Sequence, residues 1–197
     1  MSKKYEKNTN ISWANKTWNL VGGCELVSPA CKNCYAMRVA AKESEKGVEK
    51  YKGLTIIAKD NKSVWNGEYN VAKERLFNEP VRWKEPNIIF VNSMSDMFFE
   101  KLPEELIFKI FDKMFNATWH KYLVLTKREK RMKEVIDSYC EARNLDKLPD
   151  FIWIGVSVED KKRAALRLPY LAETKASVKR CNSKSKVYVN SILKEMM

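Results

Sequence analysis

Cys24, Cys31 and Cys34 stand in the run Gly23-Cys24-Glu25-Leu26-Val27-Ser28-Pro29-Ala30-Cys31-Lys32-Asn33-Cys34-Tyr35-Ala36. That is a C-x6-C-x2-C spacing on one loop. Three thiolates on one loop suit a site that keeps one coordination position open. A four-iron, four-sulfur cluster held by three cysteines has one iron without a protein ligand, where a small molecule can bind and react. Structural zinc is a competing reading, with four N or S ligands that often come as two separated C-x2-C pairs. Only one such pair occurs here, and Cys181 or the sole histidine, His120, would have to supply a fourth ligand. Thiols that hold nothing are the third reading.

The cysteine loop has to be positioned by regular elements. Four apolar runs rich in β-branched and aromatic residues, 18–21, 88–91, 122–125 and 151–156, read as buried strands. Each precedes a helix-like segment: 34–44, 103–119, 128–142, and 160–168, the last broken at Pro169. In the second, Pro103 suits a helix start and Glu104 and Glu105 complement its positive end. Leu106, Ile107, Ile110, Phe111, Met114 and Phe115 follow the helical period. In the third, Met132, Val135, Ile136, Tyr139 and Cys140 form one apolar stripe, which makes Cys140 a small core residue. The alternation predicts an α/β protein: a partial (β/α) barrel-like parallel sheet of about four βα units, too few for a closed eight-unit barrel. Residues 45–83 interrupt the rhythm with turn signals and read as an insertion with a small hairpin. Residues 1–174 thus form the main body, and 175–197 a basic C-terminal tail in which 187–193 suit a short edge strand or a helix.

Functional residues of parallel α/β folds gather at the carboxyl ends of strands. Four segments fall there: the cysteine loop, Asn92-Ser93-Met94-Ser95-Asp96-Met97-Phe98, Thr126-Lys127-Arg128, and Ser157-Val158-Glu159-Asp160. Ser157 or Asp160 alone would be read as a helix cap.

Composition narrows the partners. Lysine and arginine number 37 against 25 acids, a net charge of +12, which favours nucleic acid or a ribonucleoprotein. Lys127, Arg128, Lys130 and Arg131 form one basic group, and Lys179, Arg180, Lys184 and Lys186 a second in the tail. With Trp83 for stacking, they would track a phosphate backbone. Trp13, Trp18, Trp65, Trp119 and Trp153 read as core. No apolar run has the length of a membrane span and the N-terminus lacks an apolar signal core, so the expected compartment is the cytoplasm, where thiols stay reduced.

Residues 15–24, with Val27-Ser28-Pro29 and Cys31-Lys32-Asn33-Cys34-Tyr35-Ala36, resemble a family of phage and prophage proteins at the edge of the radical S-adenosylmethionine (SAM) superfamily. The segments 92–98, 125–128 and 155–160 resemble its recurring motifs in the same order, and the match spans about 11–174. The resemblance implies a partial barrel carrying a 4Fe-4S cluster on Cys24, Cys31 and Cys34, with SAM on the open iron, cleaved reductively to a 5′-deoxyadenosyl radical. It implies Ser93, Ser95 and Asp96 at the methionine end of SAM, and Ser157 and Glu159 near its ribose or the substrate. The cysteine spacing is longer than the common C-x3-C-x2-C, and the aromatic, Tyr35, follows the last cysteine rather than preceding it. The basic tail stands where the family continues through further strands, so the chain reads as a C-terminally truncated member. The expected function is that of a phage-derived radical-SAM-like protein acting on nucleic acid or nucleotides inside the bacterial host. The alternative is a non-catalytic protein of the same descent that blocks a host nucleic-acid machine, as anti-CRISPR proteins do.

Overall fold

A computed structural model describes residues 9 and 11–183 of the chain. In chain order its regular elements begin with strands β1 (Lys16–Trp18) and β2 (Val21–Gly22), helix α1 (Tyr35–Glu45), and strands β3 (Thr55–Ile57), β4 (Ser63–Trp65) and β5 (Asn70–Val71). They continue with α2 (Glu79–Arg82), β6 (Ile88–Val91), α3 (Glu104–Phe115), β7 (Lys121–Thr126), α4 (Glu129–Ala142), β8 (Leu148–Val158), α5 (Lys161–Glu173) and β9 (Ala176–Ser183). One five-stranded parallel sheet runs in the order β1-β6-β7-β8-β9, flanked by helices, and among the described residues it does not close into a barrel. The expected α/β class is therefore the observed one. Lys184 and Lys186, and the stretch 187–193, lie outside the described residues.

The chain divides into two compact units, Met1–Tyr122 and Leu123–Met197. In the first, the expected strand 18–21 is two strands. β1 pairs with β6, with Trp18 opposite Val91, whereas β2 pairs antiparallel with β5. Trp18 is fully buried, and its indole N–H donates to the Leu76 carbonyl at 2.8 Å. The insertion holds the expected hairpin, β3 against β4. It is joined to α1 through one apolar cluster of Ala36, Met37, Ala40, Tyr51, Leu54, Trp65 and Met94. Helix α3 buries Ile107, Ile110, Phe111 and Met114 and leaves Leu106 and Phe115 half-buried. It stops at Phe115, short of the expected 119. There the backbone tightens into three-residue steps, Asn116 N–H to Lys113 O and Ala117 N–H to Met114 O, which use up the last carbonyls.

His120 follows this turn and is fully buried. Its Nδ1 accepts from the Asn87 N–H at 3.1 Å, so it carries no proton, while Nε2 lies 2.9 Å from the Pro80 carbonyl and must donate. The ring is thus a neutral strut, not the helix-end cation its position suggests, and neither nitrogen is left for zinc. Burial pushes its pKa below the ordinary histidine value. The unfolded chain then takes up the proton first. The stability that His120 contributes is full above about pH 6.5 and is lost as the pH drops from there through the lowered folded value. Because this is the only histidine, urea midpoints measured between about pH 5 and 7 should decline toward acid in the wild type and flatten in His120→Gln. The same slope in both proteins would remove His120 as its origin.

In the second unit the amphipathic stripe of α4 is as the sequence predicts: Met132, Val135, Ile136, Tyr139 and Cys140 are buried. Strand β8 is eleven residues long, longer than expected at both ends. Helix α5 begins where Asp160 Oδ1 accepts from the Arg163 N–H at 2.7 Å, the capping role that its position suggests. The expected break at Pro169 does not occur, and α5 continues to Glu173. Proline removes one donor, leaving the Ala165 carbonyl without its helical partner. Leu168 and Leu171 are buried on either side of the gap. Beyond it, Tyr170 O accepts from both the Thr174 N–H, at 3.0 Å, and Thr174 Oγ1, at 2.7 Å, and Ala172 O accepts from Lys179 Nζ. The start of the expected tail is β9, a fifth strand paired parallel to β8. Among the described residues, no helix is long and apolar enough to cross a membrane.

Candidate functional site

Asn92 organises the first unit's site. It ends β6 with φ +52°, a left-handed conformation that asparagine tolerates better than most residues. Its N–H makes the last rung to Trp18 O, and its side-chain Oδ1 accepts from both Leu20 N and Val21 N, at 2.9 and 3.2 Å. A single amide oxygen therefore takes the chain out of the main sheet and into β2. The next residues form a tight turn, with Ser95 N–H to Asn92 O at 3.1 Å, and Ser95 bridges back to Gly23. Gly23 has φ +96°, and a Cβ there would stand 2.2 Å from the Glu68 carbonyl oxygen. Only glycine fits this point, from which the cysteine loop departs.

Cys24 is half-buried, with its Sγ 3.5 Å from the Glu25 carbonyl. Pro29 opens a short 3-10 helix, Pro29–Asn33, in which Cys31 N–H donates to Ser28 O and Cys34 N–H to Cys31 O. Cys31 Sγ is 3.6 Å from Ser28 Oγ. Cys34 takes the N-cap position of α1, and both Cys24 and Cys34 lean on the α1 apolar cluster. None of the five cysteines is in a disulfide. Among the described residues, no three His, Cys, Asp or Glu side chains form a group that could hold a metal ion in this conformation.

A hydrogen-bonded chain ties the end of the loop to the turn after β6. Tyr35 OH donates to Ser93 O at 2.8 Å, Ser93 Oγ to Asn19 Oδ1 at 3.0 Å, and Lys50 Nζ to Asn19 O at 2.6 Å. Burial raises the Tyr35 pKa and lowers that of Lys50. Ser93 is thus committed to neighbours. Asp96 is buried, and its Oδ1 accepts from the Phe98 N–H at 3.0 Å, which shapes the turn. Two buried polar atoms of the turn have no partner: Asn92 Nδ2 and Ser95 Oγ. Such orphans are rare and mark where a ligand or water belongs. The fit to the expected group rests on them and on a donor set of three sulfurs, the ligand chemistry of iron–sulfur clusters.

The second unit gathers Ser157 and Glu159 at the end of β8 around a residue the motif reading missed, Arg167. Its side chain is 3% exposed. Nη1 donates to Glu159 Oε2 at 2.7 Å and to the Ser157 carbonyl at 2.6 Å, and Nε to Glu129 Oε2 at 3.3 Å. Glu159 Oε1 is buried without a hydrogen bond. A readable signal existed: Arg167 falls on the same stripe of α5 as Ala164, Leu168 and Leu171. The expected phosphate-tracking cations differ in exposure and in their contacts. Arg128 is buried, and its backbone N–H is bound by Thr126 Oγ1. Lys127 and Arg131 are half-buried. Lys130 is exposed beside Glu134 at 3.8 Å. Lys179 reaches Ala172 O of α5, whereas Arg180 lies over the Trp153 ring at 4.6 Å. Of the tryptophans read as core, Trp18 and Trp65 are buried, Trp153 is half-buried, and Trp13 and Trp119 are exposed.

Comparison with known proteins gives one family. The model described as "Protein of unknown function (DUF5131)" matches residues 8–184. No curated protein and no solved structure matches.

Proposed function

The chain belongs to this DUF5131 family, and we propose that it is a phage-derived, radical-SAM-like iron–sulfur protein that acts on nucleic acid or nucleotides in the cytoplasm of a bacterial host. The observation that carries the reading is the cysteine loop: three thiols outside any disulfide, launched from a glycine that no other residue can replace. Cys24, Cys31 and Cys34 would hold a 4Fe-4S cluster. When bound, it supplies an iron with no protein ligand at which SAM binds and is cleaved by one-electron reduction. The chain's own residues orient and shield. Asn92 Nδ2 and Ser95 Oγ offer a donor and a hydroxyl to the polar end of such a ligand. Asp96 keeps the turn that presents them. Tyr35 pins the helix after Cys34 to Ser93, so the last ligand is fixed relative to that turn. In the second unit, Arg167 holds Glu159 through Oε2 and leaves Oε1, 4.0 Å from Arg163 Nε and without a hydrogen bond, as an acceptor for a ribose hydroxyl or a substrate N–H.

Anaerobic reconstitution with iron and sulfide tests the reading. Wild-type protein should turn brown with about four irons and four sulfides per chain. Cys24→Ala, Cys31→Ala and Cys34→Ala should each lose that iron, and Cys140→Ala should keep it. Full iron retention in Cys31→Ala would sink the assignment. A colourless wild type that still binds nucleic acid would move the protein to the non-catalytic, host-blocking class.

A further inference from the structure

Strand β8 alternates sharply. Ile152, Ile154 and Val156 are fully buried on the face met by α4 and α5, whereas Phe151, Trp153 and Ser157 on the opposite face are half-exposed. Gly155 lies between Trp153 and Ser157 on that second face. A Cβ there would meet Leu125 Cδ2 and the Arg180 carbonyl, each at 2.7 Å, so β7 and β9 pack closely against the glycine. Beside it, the Trp153 indole N–H donates to Asp150 O at 2.8 Å, which fixes the ring. The Arg180 guanidinium lies over that ring at 4.6 Å. Arg180 is exposed, and among the described residues no carboxylate pairs with it. Strand β9 carries no acid, and Asn182, two residues on along the same face, is also exposed.

A tryptophan plate, a guanidinium held on it with its N–H edge unclaimed, and an adjoining strand, β9, with no acid of its own match one ligand chemistry. Arginine planes and aromatic rings stack bases, and the guanidinium fork takes phosphate. Bases can stack this way only when they are not paired in a duplex. We propose that the open face of β8 and β9 binds single-stranded nucleic acid, with a base stacked on the Trp153–Arg180 pair and Arg180 reaching a phosphate. This deepens the nucleic-acid part of the function proposed above and does not need the cluster.

The test is fluorescence anisotropy of a short labelled oligothymidylate and its duplex with the complementary strand, on the full chain, across salt. Wild type should bind the single strand more tightly than the duplex. Arg180→Ala and Trp153→Ala should each weaken single-strand binding by about 5- to 150-fold, the range for loss of one stacked base. Arg180→Lys keeps the charge and loses the plane, so it should fall between wild type and Arg180→Ala. Lys62→Ala, on the β3–β4 hairpin beside Asp60, should bind as wild type. Circular dichroism melting confirms folding, and Arg180→Lys decides the matter if Trp153→Ala does not fold. Duplex preference, or wild-type binding in the Arg180 variants, would overturn the proposal. Iron content measured on the same samples separates the two readings: binding without iron removes the cluster alone, and iron without binding removes this surface alone.

Discussion

Arg167→Leu is expected to lose about 3–5 kcal/mol of stability, the range for removing one partner from a buried ion pair. Arg167 is 3% exposed, and the side chains of Glu129 and Glu159 are 12% and 17% exposed. The substitution takes the arginine from Glu129, leaves Glu159 only Arg163, whose Nε lies 4.0 Å from Oε1, and removes the donor to the Ser157 carbonyl. The leucine fills most of the volume, so the loss reports charge rather than a cavity. Glu159→Gln should cost less, because Arg167 keeps Glu129 and the Ser157 carbonyl. Urea unfolding of the two variants and their double mutant measures the coupling directly. A loss below about 1 kcal/mol in Arg167→Leu, the scale of an exposed pair, would show that this arginine does not anchor the end of β8.

Gly23→Ala should have the second large effect. The methyl would sit 2.2 Å from the Glu68 carbonyl oxygen at a φ of +96°. Backbone strain of about 1–3 kcal/mol adds to about 1–3 kcal/mol for forcing two chains apart. Gly47→Ala is the matched control: φ is +82°, but the new methyl meets nothing within 4 Å. It should therefore show the strain alone. Thermal melts compare the two, and iron uptake after reconstitution reads the cysteine loop separately. If Gly23→Ala lost no more than Gly47→Ala, the contact with Glu68 would not be what fixes the start of the loop.

The α/β class, the buried stripe of α4 and the strand 88–91 were legible because each depends on local periodicity, and residues such as Val135, Ile136 and Ile89 have one way to be buried. The strand at 18–21 was misread because what splits it is distant in sequence: the Asn92 amide takes the Leu20 and Val21 donors from more than seventy residues away. The continuation of α5 past Pro169 was hidden likewise, since Thr174 and Lys179 supply donors from beyond the helix. β9 went unseen because Ala176 to Ser183 has no sustained apolar alternation, being an edge strand with only Ala176 buried. For the site, the chemistry-bearing residue types were visible as motifs. Of the groups that hold them, Asn92 opens the motif 92–98 but no role for it could be read there, and Arg167 lies in no motif. Arg167 betrayed itself only as a charge on an apolar stripe.

The proline in α5 also sets how that helix breathes. An uninterrupted α-helix opens by fraying from its ends, each amide shielded by the carbonyl four residues back. Here one rung is absent at position 169, in the second half of the helix. The turn after it is held by Leu171 in the core, Thr174 and a lysine from the next strand. In amide hydrogen exchange, α5 is therefore two segments rather than one. The segment before Pro169 frays from the Asp160 cap, and the segment after it opens with β9, because the Lys179 anchor belongs to that strand. The last turn of α5 and the edge of the sheet share one opening event.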